Sequence, residues 1–242
     1  MRGRRCLFEQ AAYNICCEWG AQGASLLALS CEVVIVVDVL SFSTSVEVAT
    51  SQGAAVYPYR WKDGTAARFA DSVSAIVADG TDERGYRLSP ASLQSLPPQT
   101  RLVLPSPNGA EISLATGHTL TLAGCLRNRR AVAEYAMGLG ERIAVIPAGE
   151  RWPDGSLRPC FEDLIGAGSI IECLRGSRSP EAESARAGFA NARDALLELL
   201  GNCSSGQEKI SRDEAGDLVL AASLDVSDGV PLLRDGAYRR VT

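Results

Sequence analysis

Polar residues that could bind a metal ion or attack phosphorus follow a β-branched, apolar run. Asp38 comes directly after Val33–Val37, and the hydroxyl residues Ser43 and Thr44 follow within six positions. Because burying an unpaired carboxylate is costly, Asp38 is a candidate metal ligand or nucleophile. Ser43 and Thr44 could hold phosphate oxygens together with N–H groups at a helix N-terminus, or one of them could simply cap that helix.

Three further carboxylates could join Asp38 in a metal site. Glu150 follows a predicted strand, whereas Glu162 and Asp163 open a predicted helix. At that position the two acids could also merely favour the helix dipole. Carboxylate oxygens suit Mg²⁺, which takes one or two of them and keeps several waters. The sequence therefore predicts a Mg²⁺ site drawn from these four acids.

Two more clusters could contribute to binding an anion. Asn108 and Gly109 lie in a turn after a predicted strand, and Cys125, Arg127 and Asn128 lie at a predicted helix start. Arginine matches phosphate or sulfonate geometry bidentately. Cys125 is a further candidate nucleophile, because neighbouring arginines would lower the pKa of its thiol, but it could equally be a packed small residue.

Other catalytic classes lack their motifs in this chain. The sequence has no nucleophile-elbow, dinucleotide-binding or P-loop pattern, and its one histidine, His118, lies in a turn-like setting that disfavours a Ser-His-Asp triad. Asp38-Val39-Leu40 does not match the Asp-x-Asp of haloacid-dehalogenase phosphatases. No Cys-x-x-Cys pair occurs, which disfavours a structural zinc site.

The elements that must position these residues follow a β-α pattern. The run Val33–Val39 has no polar alternation, as in a strand that is buried on both faces of a parallel sheet. Short strands alternate with helices along the chain, which predicts an α/β fold of three layers, α/β/α, around a mostly parallel or mixed sheet. Ligands of such sheets bind beyond the carboxyl ends of the strands, where all four clusters lie.

Toward the C-terminal end the pattern changes. We expect a helical stretch over Arg178–Leu200, a loop over Gly201–Gly206 and a hairpin over Pro231–Val241. We expect one domain over residues 1–242, with a candidate subdivision near 177–180.

Composition narrows the class of protein. The chain has 242 residues, 46% of them hydrophobic, and a formal net charge of -5, which disfavours a nucleic-acid partner. No apolar run is long enough for a membrane helix, and no secretory signal is recognised. Most of the eight cysteines are expected to be small buried residues in a reducing compartment, so we expect a cytoplasmic protein, with a homodimer as the default oligomer.

The order of these motifs resembles the 2-phosphosulfolactate phosphatase family of coenzyme M biosynthesis. The similarity spans roughly Tyr13 to Val241. It is carried by the stretches 36–44, 106–109, 124–133 and 162–168, and more weakly by 79–90 and 230–236. The resemblance implies Mg²⁺-dependent hydrolysis of a small anionic phosphate monoester, in the cytoplasm, on a three-layer α/β/α fold.

One departure from the family pattern leaves the substrate open. The family often has Arg after the Asp-Val-Leu, where this chain has Ser41. The substrate could be 2-phosphosulfolactate or a related phospho-hydroxy acid, with Arg127 or the Arg129–Arg130 pair replacing the cation. The nucleophile is Asp38, a metal-held water or Cys125. The alternative function is a non-catalytic anion- or metabolite-binding protein on the same fold.

Overall fold

The central strand is buried on both faces, as its unbroken apolar run predicts. In the computed structural model of the chain, which describes residues 7–61, 63–81 and 85–241, every side chain of Val33–Val37 is fully buried. Ile35 packs on one face of the sheet with Val132 and Ile170, whereas Val34 packs on the other face with Leu27. Helices therefore cover both faces, and the α/β fold is confirmed.

Nine strands form one mixed sheet in the order β1-β7-β2-β6-β10-β11-β3-β5-β4, and β8 and β9 form a separate two-stranded ribbon. The strands have these bounds: β1 (Ile15–Cys17), β2 (Val33–Val37), β3 (Ala55–Tyr59), β4 (Ile76–Val77), β5 (Arg101–Pro105), β6 (Leu120–Ala123), β7 (Ile143–Pro147), β8 (Glu150–Arg151), β9 (Leu157–Arg158), β10 (Pro231–Arg234) and β11 (Ala237–Arg240).

The helices have these bounds: α1 (Gly20–Leu27), α2 (Phe42–Ser51), α3 (Thr65–Ser72), α4 (Pro90–Leu93), α5 (Gly109–Ala115), α6 (Arg129–Leu139), α7 (Phe161–Cys173), α8 (Pro180–Ala192), α9 (Leu196–Asn202), α10 (Ser204–Ser211) and α11 (Ala215–Ala222). Short 3₁₀ turns occur at Leu7–Glu9, Leu126–Asn128 and Arg193–Ala195. Within the part of the chain that the structure describes, no helix has the length and apolarity that crossing a bilayer requires.

The predicted C-terminal hairpin forms, but it lies inside the sheet. Strands β10 and β11 pair antiparallel with each other. Strand β10 also pairs antiparallel with β6, and β11 pairs antiparallel with β3. The strands β1, β2, β6 and β7 are mutually parallel, and so are β3, β4 and β5, but the hairpin reverses the sense of the second group relative to the first.

The prediction of a loop over Gly201–Gly206 is wrong. Helix α9 continues to Asn202 and α10 begins at Ser204, with Cys203 between them as the N-cap of α10. Gly206 comes so close to the end of α9 that a Cβ there would lie 1.8 Å from the Leu200 carbonyl oxygen. The glycine therefore permits a tight crossing of two helices rather than a loop.

Most of the described cysteines are buried, as the sequence predicts, but Cys173 and Cys203 are only partly buried. Cys16 and Cys17 are buried on opposite faces of the sheet, as adjacent strand residues must be. The seven cysteines in the described ranges are free thiols. Cys6 and residues 82–84 of the weakly matching stretch lie outside those ranges.

Candidate active site

The carboxylate of Asp38 is fixed by two backbone N–H groups. The Asp38 Oδ1 atom accepts a hydrogen bond from Phe42 N–H at 3.0 Å, and Oδ2 accepts one from Gly109 N–H at 3.0 Å. The side chain is buried, and the first residues of α2 and α5 both hold it in place. Asp38 therefore has a defined orientation before any ligand binds.

Gly109 permits this arrangement because it packs directly on an aromatic ring. A Cβ at position 109 would lie 2.3 Å from Cδ1 of Phe42. No larger residue could bring the N–H group to Asp38 without displacing the Phe42 ring. Gly109, predicted as a phosphate-binding residue, thus contributes its backbone to the site through Asp38.

Asp163 joins two strand ends in the same way. Its Oδ1 atom accepts from Val39 N–H at 2.7 Å, and its Oδ2 atom accepts from Gly149 N–H at 2.8 Å. The residue lies in the first turn of α7 and is buried. Its carboxylate therefore has tertiary partners in the loops after β2 and β7, beyond any interaction with the helix dipole.

The remaining two predicted acids lie beside this pair. Glu150 accepts a hydrogen bond from Asn108 Nδ2 at 2.7 Å, so the predicted Asn108 orients a predicted metal ligand. Glu162 is buried and forms, with Asp163 and Cys160, a group of ligand atoms within 4.8 Å of one another. The structure thus brings the predicted metal-binding acids into one region.

Mutual repulsion shows how closely these acids interact. Burial, followed by the negative charges of Glu150 and Glu162, raises the pKa of Asp38 to about 6. Burial and the charges of Asp38 and Glu162 raise the pKa of Asp163 well above its ordinary value. These are the effects expected when several carboxylates are desolvated together.

The donor set fits a hard divalent cation. In the described part of the chain, no Lys or Arg forms an ion pair with Asp38, Glu150, Glu162 or Asp163. Clustered carboxylates without a basic partner are the oxygen ligands that Mg²⁺ prefers. Burial raises the pKa of the Cys160 thiol, which keeps this sulfur protonated and a poor ligand beside the carboxylates.

A cavity of about 700 Å³ opens beside Asp38 and Glu150. Its other lining residues include Ser41, Ser106 and Asn108. The charged residues that line it are the acids Asp38, Asp63, Asp79, Glu150, Glu208 and Glu214 and the cations Arg87, Lys209 and Arg212. Among the described lining residues, the acids thus outnumber the cations by three. Such a cavity attracts cations and repels an anion unless a cation binds first.

The cations that line this cavity were not among the residues predicted from the sequence. Lys209 bonds to Glu214 and Asp217, each at 2.9 Å, and Arg87 bonds to the same Glu214 at 2.9 Å. Lys209 lies on α10, a segment for which the sequence predicted no helix. The periodicity of α10 was the missing signal, since it places Lys209 and Arg212 one turn apart.

The three arginines expected to bind the anion are engaged elsewhere. Arg127 pairs with Glu47 at 2.5 Å, Arg129 pairs with Glu172 and Asp225, and Arg130 pairs with Asp225. None of the three arginines lines the cavity beside Asp38. The cation that was expected to replace the family Arg is therefore not brought to this cavity by Arg127 or by the Arg129–Arg130 pair.

Cys125 and Asn128 likewise lie away from the cavity. Burial, followed by the charge of Glu47, raises the pKa of the Cys125 thiol to about 12. Asn128 accepts from Cys125 N–H at 2.9 Å and donates to the Gly229 carbonyl oxygen at 2.9 Å. These contacts stabilise the turn after β6, and neither residue lines the cavity.

The hydroxyls of Ser43 and Thr44 bond to the backbone of their own loop. Ser43 Oγ donates to the Val36 carbonyl oxygen at 2.9 Å, and Thr44 Oγ1 donates to the Val39 carbonyl oxygen at 2.8 Å. Both residues are fully buried, and neither lines the cavity. Their hydroxyl protons therefore stabilise the turn that carries Asp38.

Comparisons with known proteins add independent information. The model of a protein family described as 2-phosphosulpholactate phosphatase matches residues 25–236. The chain is 30% identical over 209 residues to a probable 2-phosphosulfolactate phosphatase of Carboxydothermus hydrogenoformans, covering 83% of this chain and 85% of that protein. It is 28% identical over 160 residues to the 2-phosphosulfolactate phosphatase of Methanothermobacter thermautotrophicus, covering 64% and 68%. It is 26% identical over 208 residues to a probable 2-phosphosulfolactate phosphatase of Gloeobacter violaceus, covering 81% and 86%.

Proposed function

This chain belongs to the 2-phosphosulpholactate phosphatase family of phosphoric monoester hydrolases, and on that premise we propose that it hydrolyses a small anionic phosphate monoester in a Mg²⁺-dependent reaction. The substrate is 2-phosphosulfolactate or a related phospho-hydroxy acid. The observation that carries the proposal is the cluster of Asp38, Glu150, Glu162 and Asp163, which lacks a basic partner in the described ranges and borders a cavity of about 700 Å³.

The acids divide into two positions relative to the cavity. Asp38 and Glu150 line it, whereas Glu162 and Asp163 do not. Asp38 and Glu150 would therefore hold Mg²⁺ on the substrate side, and the two α7 acids would hold it from behind or add negative charge around it. When bound, Mg²⁺ would neutralise phosphoryl oxygens and favour attack on phosphorus.

Backbone hydrogen bonds fix the orientation of the Asp38 carboxylate. Both carboxylate oxygens already accept one backbone N–H, and each keeps lone-pair capacity for one further partner. This arrangement supports a role for Asp38 in binding the cation and orienting the reacting groups. It leaves water or Asp38 itself as the attacking group, while the burial of Cys125 argues against that thiol.

The substrate's second acid group requires a partner of its own. Arg87 and Arg212 line the cavity, and their side chains are 49% and 62% exposed. Each pairs with an acid that also lines the cavity, Arg87 with Glu214 and Arg212 with Glu208. Guanidinium groups bind carboxylate or sulfonate oxygens bidentately. We propose that these two arginines bind the non-phosphoryl acid group of the substrate.

A cytoplasmic location is part of the same proposal, supported by the free thiols of the seven described cysteines.

A panel of small phosphate monoesters tests the proposal. The purified protein should release inorganic phosphate from 2-phosphosulfolactate, and more slowly from phospholactate and phosphoglycolate, in the presence of Mg²⁺. Calorimetric binding of the same esters without phosphate release would instead support the metabolite-binding alternative. Neither binding nor release of any panel member would contradict both functions.

A further inference from the structure

One residue on the cavity wall has a hydroxyl group that lacks a hydrogen-bond partner. Ser41 lines the cavity beside Asp38 and is only 4% exposed. Its Oγ atom is buried, and no partner for it is present in the described part of the chain. Nearly all buried polar atoms in proteins are hydrogen-bonded, so an exception on a cavity wall points to a partner that the cavity admits.

The fold itself does not need this hydroxyl. Ser41 occupies the N-cap position of α2, where a serine side chain usually accepts a hydrogen bond from the helix, but Ser41 makes no such bond. Asp38 takes over that role, because its Oδ1 atom accepts from Phe42 N–H and its carbonyl oxygen accepts from Ser43 N–H. The Ser41 hydroxyl is thereby left uncommitted.

The neighbouring hydroxyls of the same turn are committed. Ser43 and Thr44 donate to the carbonyl oxygens of Val36 and Val39. Of the three hydroxyl residues that follow Asp38 within six positions, Ser41 is the one that lines the cavity and the one whose hydroxyl lacks a partner in the described ranges.

The chemistry of the cavity specifies what Ser41 would bind. Asp38 and Glu150 already supply acceptor oxygens on the same wall, so a donor is the complementary contribution. We propose that Ser41 Oγ donates a hydrogen bond to a non-bridging phosphoryl oxygen of the ester bound beside Asp38. The inference rests on the proposed function, and it makes Ser41 a substrate-binding residue.

The chain contains a matched control in Ser45. Its hydroxyl is also fully buried and also lacks a partner among the described residues, and it lies on the same helix. Unlike Ser41, Ser45 does not line the cavity. Removing either hydroxyl leaves no former partner unsatisfied, so both alanine variants should be as stable as the wild type or slightly more stable.

The experiment compares Ser41→Ala with Ser45→Ala at saturating Mg²⁺. The affinity for inorganic phosphate, measured by calorimetry, and the KM for the best ester should both weaken about 10- to 100-fold in Ser41→Ala, as expected for a hydrogen bond to a charged oxygen. Ser45→Ala should match the wild type in both. Urea unfolding should show equal or greater stability for both variants.

The outcomes separate this inference from the proposed function. If the wild type hydrolyses the ester and both variants bind phosphate as it does, Ser41 is not a ligand and the proposed function stands. Equal weakening in both variants would also overturn the inference, because it would indicate a general effect on α2. If the wild type binds phosphate without turnover, loss of affinity confined to Ser41→Ala would still support it. A wild type that neither binds phosphate nor releases it would overturn both.

Discussion

The carboxylate of Asp38 is the point at which three parts of the chain meet. It accepts hydrogen bonds from the N–H groups of Phe42 and Gly109, and its negative charge interacts with those of Glu150 and Glu162. A buried acid with such neighbours is stabilised in its ionised form by a bound cation. Its replacement should therefore affect chemistry more than folding.

Asp38→Asn keeps the size of the side chain and removes its charge. We expect kcat to fall by roughly 10²–10⁴-fold, the range for losing a group that acts at the reacting atoms. Glu47→Gln is the matched control, because Glu47 is also a buried acid but pairs with Arg127 and does not line the cavity. It should lose stability and keep turnover. Initial rates of phosphate release and circular dichroism of both variants give the comparison, and a fully active Asp38→Asn variant would refute the assigned role.

The raised pKa of Asp38 predicts how stability depends on pH when metal is absent. The unfolded chain ionises Asp38 near the ordinary value of about 3.9, whereas the folded protein ionises it at about 6. Between these values the folded state binds more protons, so its free energy of unfolding falls as pH rises and then levels off above about 6. The loss from this residue is about 1–3 kcal/mol.

Urea unfolding in EDTA at pH 4.5 and pH 7 measures this effect. Because other groups also titrate, the relevant quantity is the difference in pH dependence between the wild type and Asp38→Asn. The wild type should lose more stability over this range than the variant does. Identical pH dependence in the two proteins would show that the pKa of Asp38 is not raised.

The sequence indicated Asp38 as a metal ligand or nucleophile, but it did not indicate Ser41 as a substrate-binding residue. Each outcome has a physical reason. An acid that ends a fully apolar strand is costly to bury, and the strand pattern alone reveals this. Which of Ser41, Ser43 and Thr44 keeps a free hydroxyl depends on the carbonyl oxygens that each one meets after folding. That information is tertiary, so the sequence offered Ser43 and Thr44 as phosphate-binding candidates and did not include Ser41.

At the scale of elements, the start of α5 supports the site. Gly109→Ala would force a Cβ against the Phe42 ring and displace the N–H group that Asp38 accepts. We expect a loss of about 1–3 kcal/mol in the free energy of unfolding, typical of overpacking, and at least a tenfold loss of kcat/KM.

Gly138→Ala is the control for this change. Gly138 lies in α6, and a Cβ there would meet nothing within 4 Å. The substitution should be neutral or stabilising by about 0.5–1 kcal/mol, because alanine favours the helix. Chemical unfolding and kcat/KM of both variants check the pair, and a Gly109→Ala protein with wild-type values would show that the close approach has no functional consequence.

Elements with strong apolar periodicity were predictable, whereas those defined by packing were not. Strand β2 forms where the unbroken apolar run predicts it, and α6 begins at Arg129, directly after the predicted helix start at Cys125, Arg127 and Asn128. Gly201 to Gly206 has the composition of a loop but forms parts of α9 and α10, because Gly206 lets the two helices cross closely. The position of the C-terminal hairpin within the sheet depends on pairing between distant segments, which no local pattern contains.

At the scale of the whole molecule, the sheet brings together residues that are far apart in sequence. Strands β2 and β5 run in opposite senses, yet the loops that follow them meet at Asp38 and Gly109. Five strand-to-strand steps separate β2 from β5, and protein sheets twist by roughly 20–25° per step on average. The sequence predicted one common edge for the site, and in the structure Asp38 and Gly109 meet although the strands that precede them run in opposite senses.

The charge of the whole cavity leads to the central prediction. With three more acids than cations among its described lining residues, the cavity should admit an anionic ester only after binding a cation. The most direct test is to remove metal with EDTA and follow phosphate release from 2-phosphosulfolactate as Mg²⁺ is added back. We predict no release from the metal-free protein and a saturable rise with Mg²⁺ in the wild type. Release by the metal-free protein at the untreated rate would contradict a Mg²⁺-dependent phosphatase built on these acids.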